Sequence, residues 1–428
     1  MSDTPSTPAA PPVISPVLGR YFERHWSHGE GHRLYDTDGR GYLDFANGIA
    51  VTILGHHHPR VTAAIHAQVD RLIGPTGAIG FTDPVVRLAG MLADTLPDPL
   101  DTVMFLNSGS EAIEAALKLA RRVSGRPGFI AFRGAFHGRT FGAASVTSSS
   151  LNYRTGYEPL LPTVHLAPYP AVWRDFDGDE ERATAGCLAA LDELFATSAP
   201  ASSIAAMIVE PVLGEGGYIP APEAFLRGLR ARCDEHGILL IADEVQTGLG
   251  RTGRMWGFEH AGLVPDIVTV AKGLANGLPL SAIVSRRALQ ERWGKGAHGS
   301  TFGGNPVACA AGIAVLGTIA DEGLVANAAR MGAELSAGLR SLAEEDERIG
   351  DVRGPGLMIG LELVTDRATK EPDAALLDRV RQRCADEGLL LLYCGRASNT
   401  IRFIPPLDVS GAEISESLAI LGNALGAS

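Results

Sequence analysis

Between residues 102 and 284 the chain repeats one pattern: a short run of four or five mainly apolar residues, then a segment of helical length with an amphipathic rhythm. The runs lie at 102–106, 129–132, 205–209, 238–242, 267–271 and 281–284, and helical patterns such as 111–123 and 224–236 lie between them. A strand that is apolar at nearly every position, rather than at alternate ones, is buried on both faces. Such strands separated by helices form a mostly parallel sheet covered on both sides, so an α/β core is expected over residues 60–305. Upstream, Arg33 to Phe45 (RLYDTDGRGYLDF) reads as a hairpin around Asp38-Gly39. Downstream, Asn305-Pro306 combines an N-cap with a first-turn proline and opens a long helix, and a second helix is expected at 324–343. The remainder alternates strand (356–363), helix (374–386), two strands (389–392, 400–404) and helix (411–424). The expected division is a disordered tail at 1–12, a segment at 13–59 joining the small domain, a large domain at 60–305, and linking helices with a smaller α+β domain at 306–428.

Ligands of open α/β sheets sit outside the carboxyl ends of the strands. The residues that follow the runs are polar or small: Asn107-Ser108-Gly109-Ser110-Glu111, Glu210-Pro211, Asp243-Glu244-Val245-Gln246 and Lys272-Gly273. Composition matters here, because the 37 cationic residues comprise 33 Arg and only four Lys. Lys118 falls on a helix where Glu114 is expected to pair with it, and Lys295 and Lys370 fall in surface loops. Lys272 alone follows an apolar strand. Burial there disfavours the ammonium and leaves a nucleophilic amine; the plain alternative is a structural lysine reaching out from a strand end.

Asp243-Glu244 has three readings. The metal-binding acid of a nucleotide hydrolase would need a G-x-x-x-x-G-K-[ST] loop, which the sequence lacks. A buried carboxylate facing a cationic heterocycle nitrogen and a simple acidic strand cap both remain. Ser108-Gly109-Ser110, between strand and helix, suits a phosphate, although Ser110 followed by Glu111 also reads as an ordinary N-cap. The loop 298–305 (HGSTFGGN) offers further hydroxyls, and Phe136 offers an aromatic cover or a core residue. His56-His57-His58 point apart in any regular element, so no metal site is expected. A net charge of -12 argues against nucleic acid. No apolar run reaches the ~20 residues of a membrane helix. Five scattered Cys without a C-x-x-C pair suit a reducing compartment, and a cytoplasmic location is expected. Residues 1–12 carry neither the basic head nor the apolar core of a signal peptide.

Together these segments resemble one family across most of the chain. The matching blocks are Gly48-Ile49-Ala50-Val51, Asn107-Ser108-Gly109-Ser110-Glu111-Ala112, Ala135-Phe136-His137-Gly138-Arg139-Thr140, Glu210-Pro211-Val212 with Gly214-Glu215-Gly216-Gly217, Asp243-Glu244-Val245-Gln246-Thr247-Gly248-Leu249-Gly250-Arg251-Thr252-Gly253, Ala271-Lys272-Gly273, and Gly299 to Pro306. They are similar to the class III aminotransferases, pyridoxal phosphate enzymes of fold type I that include 4-aminobutyrate, ornithine and acetylornithine aminotransferases. The resemblance implies a large domain with a mostly parallel seven-stranded sheet and a smaller α+β domain. It implies that Lys272 forms the internal aldimine and shuttles a proton, and that Asp243 pairs with the pyridinium nitrogen. Ser108, Gly109 and Ser110 would hold the phosphate, Phe136 would stack on the ring, Gln246 would contact its hydroxyl, and His137 and Val245 complete the cofactor contacts. Thr301 would reach the phosphate from the partner subunit, which implies a homodimer.

For substrates, the resemblance matches Glu210 and Arg402 to a glutamate–arginine pair that opens for an α-carboxylate. It matches Arg139 to a clamp on the distal carboxylate and Ile49 to an aliphatic pocket wall. The expected reaction carries an amino group from a 4-aminobutyrate-like ω-amino or α-amino donor to an oxo acid such as 2-oxoglutarate. Acetylornithine or ornithine aminotransferase is the nearest alternative, and an amino-acid racemase or epimerase is the alternative from another class.

Overall fold

The structure is a computed structural model that describes residues 13–74, 77 and 79–428, so the expected tail at 1–12 lies outside the described residues. Its centre is a seven-stranded sheet formed by β1 (Thr102–Leu106), β2 (Gly128–Phe132), β3 (Val164–Ala167), β4 (Ile204–Val209), β5 (Leu239–Asp243), β6 (Ile267–Val270) and β7 (Ser281–Ser285). The spatial order is β1-β7-β6-β5-β4-β2-β3, and only β7 runs antiparallel to its neighbours. Every residue of β2, β4 and β7 is buried. Successive side chains of a strand face opposite ways, and here each way meets its own core. Phe129, Ala131, Ile241, Ile267 and Ile283 pack with the Gly109–Ser124 helix on one face. Ile130, Phe132, Leu240, Ala242, Val268 and Val284 pack on the other face with Phe225, Leu229 and Cys309. The unbroken apolar runs follow from these two covers.

Several strands lack such runs and are not legible in the sequence, Val164–Ala167 and Ile349–Arg353 among them. β3 is a sheet edge with three of its four residues half-buried. Ile349–Arg353 carries Asp351 and Arg353 in an ion pair within a small sheet. The strand expected at 389–392 divides: Leu389–Leu390 pairs with Gly41–Asp44 of the N-terminal hairpin, and Leu392–Cys394 pairs with Thr400–Phe403. That division ties the N-terminal hairpin to the C-terminal region. Asn305 caps the Pro306–Asp321 helix, its Oδ1 accepting from Val307 N at 2.9 Å and Ala308 N at 3.3 Å. Among the described residues no single helix is long and apolar enough to cross a membrane.

The N-terminal segment is also fastened by charge. His32 lies 2.8 Å from Glu413 and 3.0 Å from Asp408, and Arg33 donates twice to Glu416 at 2.7 and 2.8 Å. Burial alone would lower the pKa of His32, but the two carboxylates outweigh it and raise the pKa to about 9, while Glu413 falls to about 2. A raised histidine pKa stabilises fully below its unfolded value of 6.5, and that contribution fades as pH rises through 9. His32→Gln is therefore expected to cost about 1–3 kcal/mol near neutral pH. In thermal melts, the gap between the native protein and the variant should close between pH 7 and pH 10; a gap independent of pH would contradict this.

Candidate active site

β5 and β6 are parallel neighbours in which Asp243 stands opposite Thr269. Lys272, three residues beyond Thr269, therefore leaves the sheet beside Asp243. It opens the short Lys272–Ala275 3-10 turn with φ of +44°, a left-handed conformation that costs a non-glycine residue about 1–2 kcal/mol. The turn is held by Leu274 N donating to Ala271 O at 3.0 Å, and a Cβ at Gly273 would lie 2.8 Å from Ile53. The cleft leaves part of the Lys272 surface accessible, but the surrounding protein still pushes its pKa down by desolvation. Asp243 and Glu210 oppose that shift without cancelling it. Asp243 is 4% exposed, and three groups satisfy it. His137 Nδ1–H donates to Oδ2 at 2.7 Å, while Thr269 Oγ1 and Val245 N donate to Oδ1, each at 3.1 Å.

The residues after β1 begin the 16-residue Gly109–Ser124 helix. Ser108 is its N-cap, its Oγ accepting from Glu111 N at 3.2 Å. The hydroxyl expected to meet a phosphate thus serves the helix, and the first-turn amides remain as anion donors. A Cβ at Gly109 would lie 3.1 Å from the Val245 side chain, a tight contact that glycine avoids at the cleft wall. Ser110 Oγ accepts from Arg139 N at 3.3 Å, and a Cβ on Gly138 would lie 2.3 Å from that oxygen. Thr301 is exposed and does not line the cleft of its own chain. Its neighbour Ser300 is docked on the β1 end, accepting from Asn107 Nδ2 at 2.7 Å.

The glutamate expected to pair with Arg402 is engaged elsewhere. Glu210 accepts Phe136 N at 2.8 Å and Gly214 N at 2.9 Å, and burial raises its pKa, with His137 pulling it back. Arg402, 1% exposed, pairs instead with Glu215 at 3.2 Å and donates to Tyr21 Oη at 2.9 Å. The physical reason is placement. Glu210 ends its strand beneath the loop of Phe136, whereas Glu215 sits five residues later on a turn that faces the Thr400–Phe403 strand. Arg139 is exposed, with its guanidinium 4.9 Å from the Tyr153 ring centroid and 5.7 Å from that of Phe136. Tyr153 Oη lies 3.4 Å from Arg139 and 3.4 Å from Glu215, so it stands between the two arginine sites. Gln246 Oε1 accepts from Tyr218 Oη at 2.8 Å. Ile49 is 39% exposed within a left-handed run, Asn47–Ala50, and it is Val51 that lines the cleft. Tyr21, Tyr153 and Tyr218 had no signal of their own in the sequence, while Val51 and Glu215 lay in matching blocks without a role.

The other lysines stay outside. Lys118 does not pair with Glu114: its Nζ lies 2.9 Å from His298 Nδ1, and Glu114 accepts from Thr140 Oγ1 at 2.6 Å and Gly142 N at 2.8 Å. Lys295 is exposed, and Lys370 is held by Asp177 at 2.5 Å. His56 of the triple histidine donates from Nε2 to Asp44 Oδ2 at 2.9 Å.

The cleft measures about 330 Å³ and gathers every expected cofactor residue except Thr301, together with Glu210. A larger cavity of about 1090 Å³ opens between Trp173, Arg174, Glu223 and Arg396, but no lysine or histidine lines it. The smaller cleft combines a depressed-pKa lysine, a buried and fixed carboxylate, a helix N-terminus and an aromatic ring. His137 Nε2 is buried on its wall without a protein partner. Those features fit a flat, cationic, phosphate-bearing aldehyde.

Comparison with known proteins bears this out. The aminotransferase class-III family profile matches residues 18–425. The chain is 40% identical over 393 residues to the 4-aminobutyrate aminotransferase of Escherichia coli, covering 92% of this chain and 91% of that protein. It is 42% identical over 400 residues to the acetylornithine aminotransferase of Methanopyrus kandleri, covering 94% of each. Among solved structures, it superposes with a TM-score of 0.90 and 35% identity on an amine transaminase from an uncultivated Pseudomonas species in its PLP-bound form, covering 98% of this chain and 99% of that one. The protein therefore belongs to the class III aminotransferases and uses pyridoxal phosphate.

Proposed function

We propose that this aminotransferase takes the amino group of an ω-amino carboxylate, 4-aminobutyrate or a close homologue, and delivers it to 2-oxoglutarate. The observation that carries this reading is the Arg402–Glu215 pair, 3.2 Å apart beside the cleft, with the exposed Arg139 nearby. An ω-amino donor has one distal carboxylate, suited to Arg139, and nothing at its amine-bearing carbon for Arg402 to bind. Glu215 then neutralises Arg402. A 2-oxo acid carries a second carboxylate, and Arg402 accepts it once Glu215 turns away. A guanidinium meets a carboxylate through two parallel bonds, so the same residue serves either partner.

Bound pyridoxal phosphate supplies an electron sink for the carbanion. The chain's own residues do the rest. Asp243, oriented by His137 and Thr269, offers its carboxylate to a protonated ring nitrogen, and Phe136 closes over the ring face. Lys272 Nζ, its pKa lowered by desolvation, is the base that would remove the proton from the amine-bearing carbon of the donor and return one to the keto carbon of the acceptor. Relatives named as aminotransferases support transfer over racemisation.

The working unit in this reading is a homodimer in which Thr301 crosses to the partner's phosphate site. In support, Phe302 is 67% exposed beside Thr301, and Phe81 is 89%, Phe141 67% and Leu151 77% exposed. Large apolar side chains in that number suit a covered face. A cytoplasmic location is in keeping with five free, buried cysteines.

Three measurements test the proposal. With 2-oxoglutarate as acceptor, 4-aminobutyrate is expected to give the highest kcat/KM for glutamate formation among 4-aminobutyrate, 5-aminovalerate, N-acetylornithine and ornithine. A higher value for N-acetylornithine would overturn the donor, and no glutamate from any of them would overturn the reaction. Lys272→Ala should lose the near-visible absorbance of lysine-bound pyridoxal, and its turnover should fall at least ~1000-fold; an unchanged spectrum would refute the assignment. Arg402→Gln should raise KM for 2-oxoglutarate roughly 10- to 100-fold, the loss of a charge-assisted pair, with a smaller effect on 4-aminobutyrate. Equal effects on both substrates would contradict the exchange.

A further inference from the structure

Arg402 has a counterpart that the family reading leaves unassigned. In the C-terminal sheet Arg353 stands opposite Gly360, and Gly360 stands opposite Arg402, so the three residues form one row across three strands. Residues aligned across a sheet share a face. The row therefore presents two arginines with a gap between them, because the central residue has no side chain. The turn at 214–217 that carries Glu215 sits in that gap. A Cβ at Gly360 would lie 3.3 Å from Gly217 O and 3.0 Å from Tyr218 Cβ.

Each arginine grips the turn. Arg402 takes the Glu215 carboxylate at 3.2 Å. Arg353 donates to Gly217 O from Nε at 3.1 Å and from Nη2 at 2.6 Å. The orientation of Arg353 is itself fixed, since Nη1 meets Asp351 at 2.8 Å and Glu362 at 2.6 Å, and Glu362 also accepts from Arg174 Nε at 2.9 Å. Gly395 N adds a bond to Glu215 O at 2.9 Å. On its other side the turn belongs to the large domain, through Gly214 N to Glu210 and Tyr218 to Gln246.

We propose that Arg353 is a positioning residue for substrate selection: it moors the Glu215 turn to the sheet that carries Arg402, so that Glu215 covers Arg402 while a donor without an α-carboxylate reacts. This rests on the exchange of Glu215 for substrate carboxylate proposed above. With the backbone held to the same sheet as Arg402, opening requires only rotation of the Glu215 side chain. Without the mooring, Glu215 loses its register, and Arg402 faces the cleft uncovered.

The test uses the holoenzyme and measures its two half-reactions separately by single-turnover absorbance, with 4-aminobutyrate and with L-glutamate. Arg353→Lys keeps a charge but cannot present the two-nitrogen edge. The paired change Arg353→Met with Glu362→Gln removes the buried charges together, and Gly360→Ala pushes on the turn without touching any charge. Each is expected to lower kcat/KM for 4-aminobutyrate about tenfold relative to that for glutamate, the effect of one charge-assisted contact. Glu215→Gln, which removes the cover directly, should shift the ratio the same way. If Glu215→Gln leaves the ratio unchanged, the exchange reading itself fails. If Glu215→Gln shifts the ratio while the soluble variants at 353 and 360 keep the native ratio, or lose both half-reactions equally, the role of Arg353 is overturned alone.

Discussion

The register between two parallel strands governs this molecule. Asp243 is opposite Thr269, so the chain that leaves β6 must deliver Lys272 next to a carboxylate that is almost wholly buried. Neither charge is comfortable there. Burial of an ammonium or a carboxylate is costly unless partners compensate it. Asp243 is compensated by His137, Thr269 and the Val245 amide, and it stays an acceptor. Lys272 is compensated less well, and desolvation moves it toward the neutral amine. The strained backbone at Lys272 fits the same pattern, since left-handed φ at a non-glycine residue persists only where the surroundings demand it.

Around that pair the fold distributes its tasks by strand end. The end of β1 presents a helix N-terminus, the loop after β2 brings Phe136 and His137, and the end of β4 brings Glu210, which accepts from the Phe136 and Gly214 amides. The turn after Glu210 then bridges to the C-terminal sheet, where Arg402 and Arg353 hold it from two sides. In the proposed reading, cofactor chemistry rests mainly on the strand ends of the large sheet, whereas choice of substrate rests on the contact between the two sheets. This division suits an enzyme that repeats one chemistry on two differently charged substrates.

Much of this was legible in the sequence because burial leaves a pattern. Apolar runs marked six of the seven central strands, and Asn305-Pro306 marked a helix start that the structure caps as expected. β3 escaped notice because an edge strand is only half-buried, and Ile349–Arg353 because its polar residues are paired inside the protein. In the site, scarcity of lysine and the apolar strand before it singled out Lys272, whereas local context left the role of Asp243 open and the resemblance supplied it. What failed was pairing across long separations. Glu210 and Glu215 are five residues apart and both follow the same strand; only the fold tells which one faces a residue almost two hundred positions later. Lys118 likewise meets His298 rather than its helical neighbour Glu114. Ile49 is 39% exposed and Val51 lines the cleft instead, in a segment whose left-handed turn is invisible to periodicity.

The central claim is that Asp243, fixed in place by His137, Thr269 and the Val245 amide, presents the carboxylate that makes the bound cofactor an electron sink. The direct measurement is the single-turnover rate of Asp243→Asn reconstituted with pyridoxal phosphate, a change that keeps shape and removes charge. The account predicts that this variant retains the absorbance of lysine-bound pyridoxal, because Lys272 is intact, yet transfers the amino group slower by on the order of 1000-fold. A rate within a few-fold of the native enzyme would contradict it.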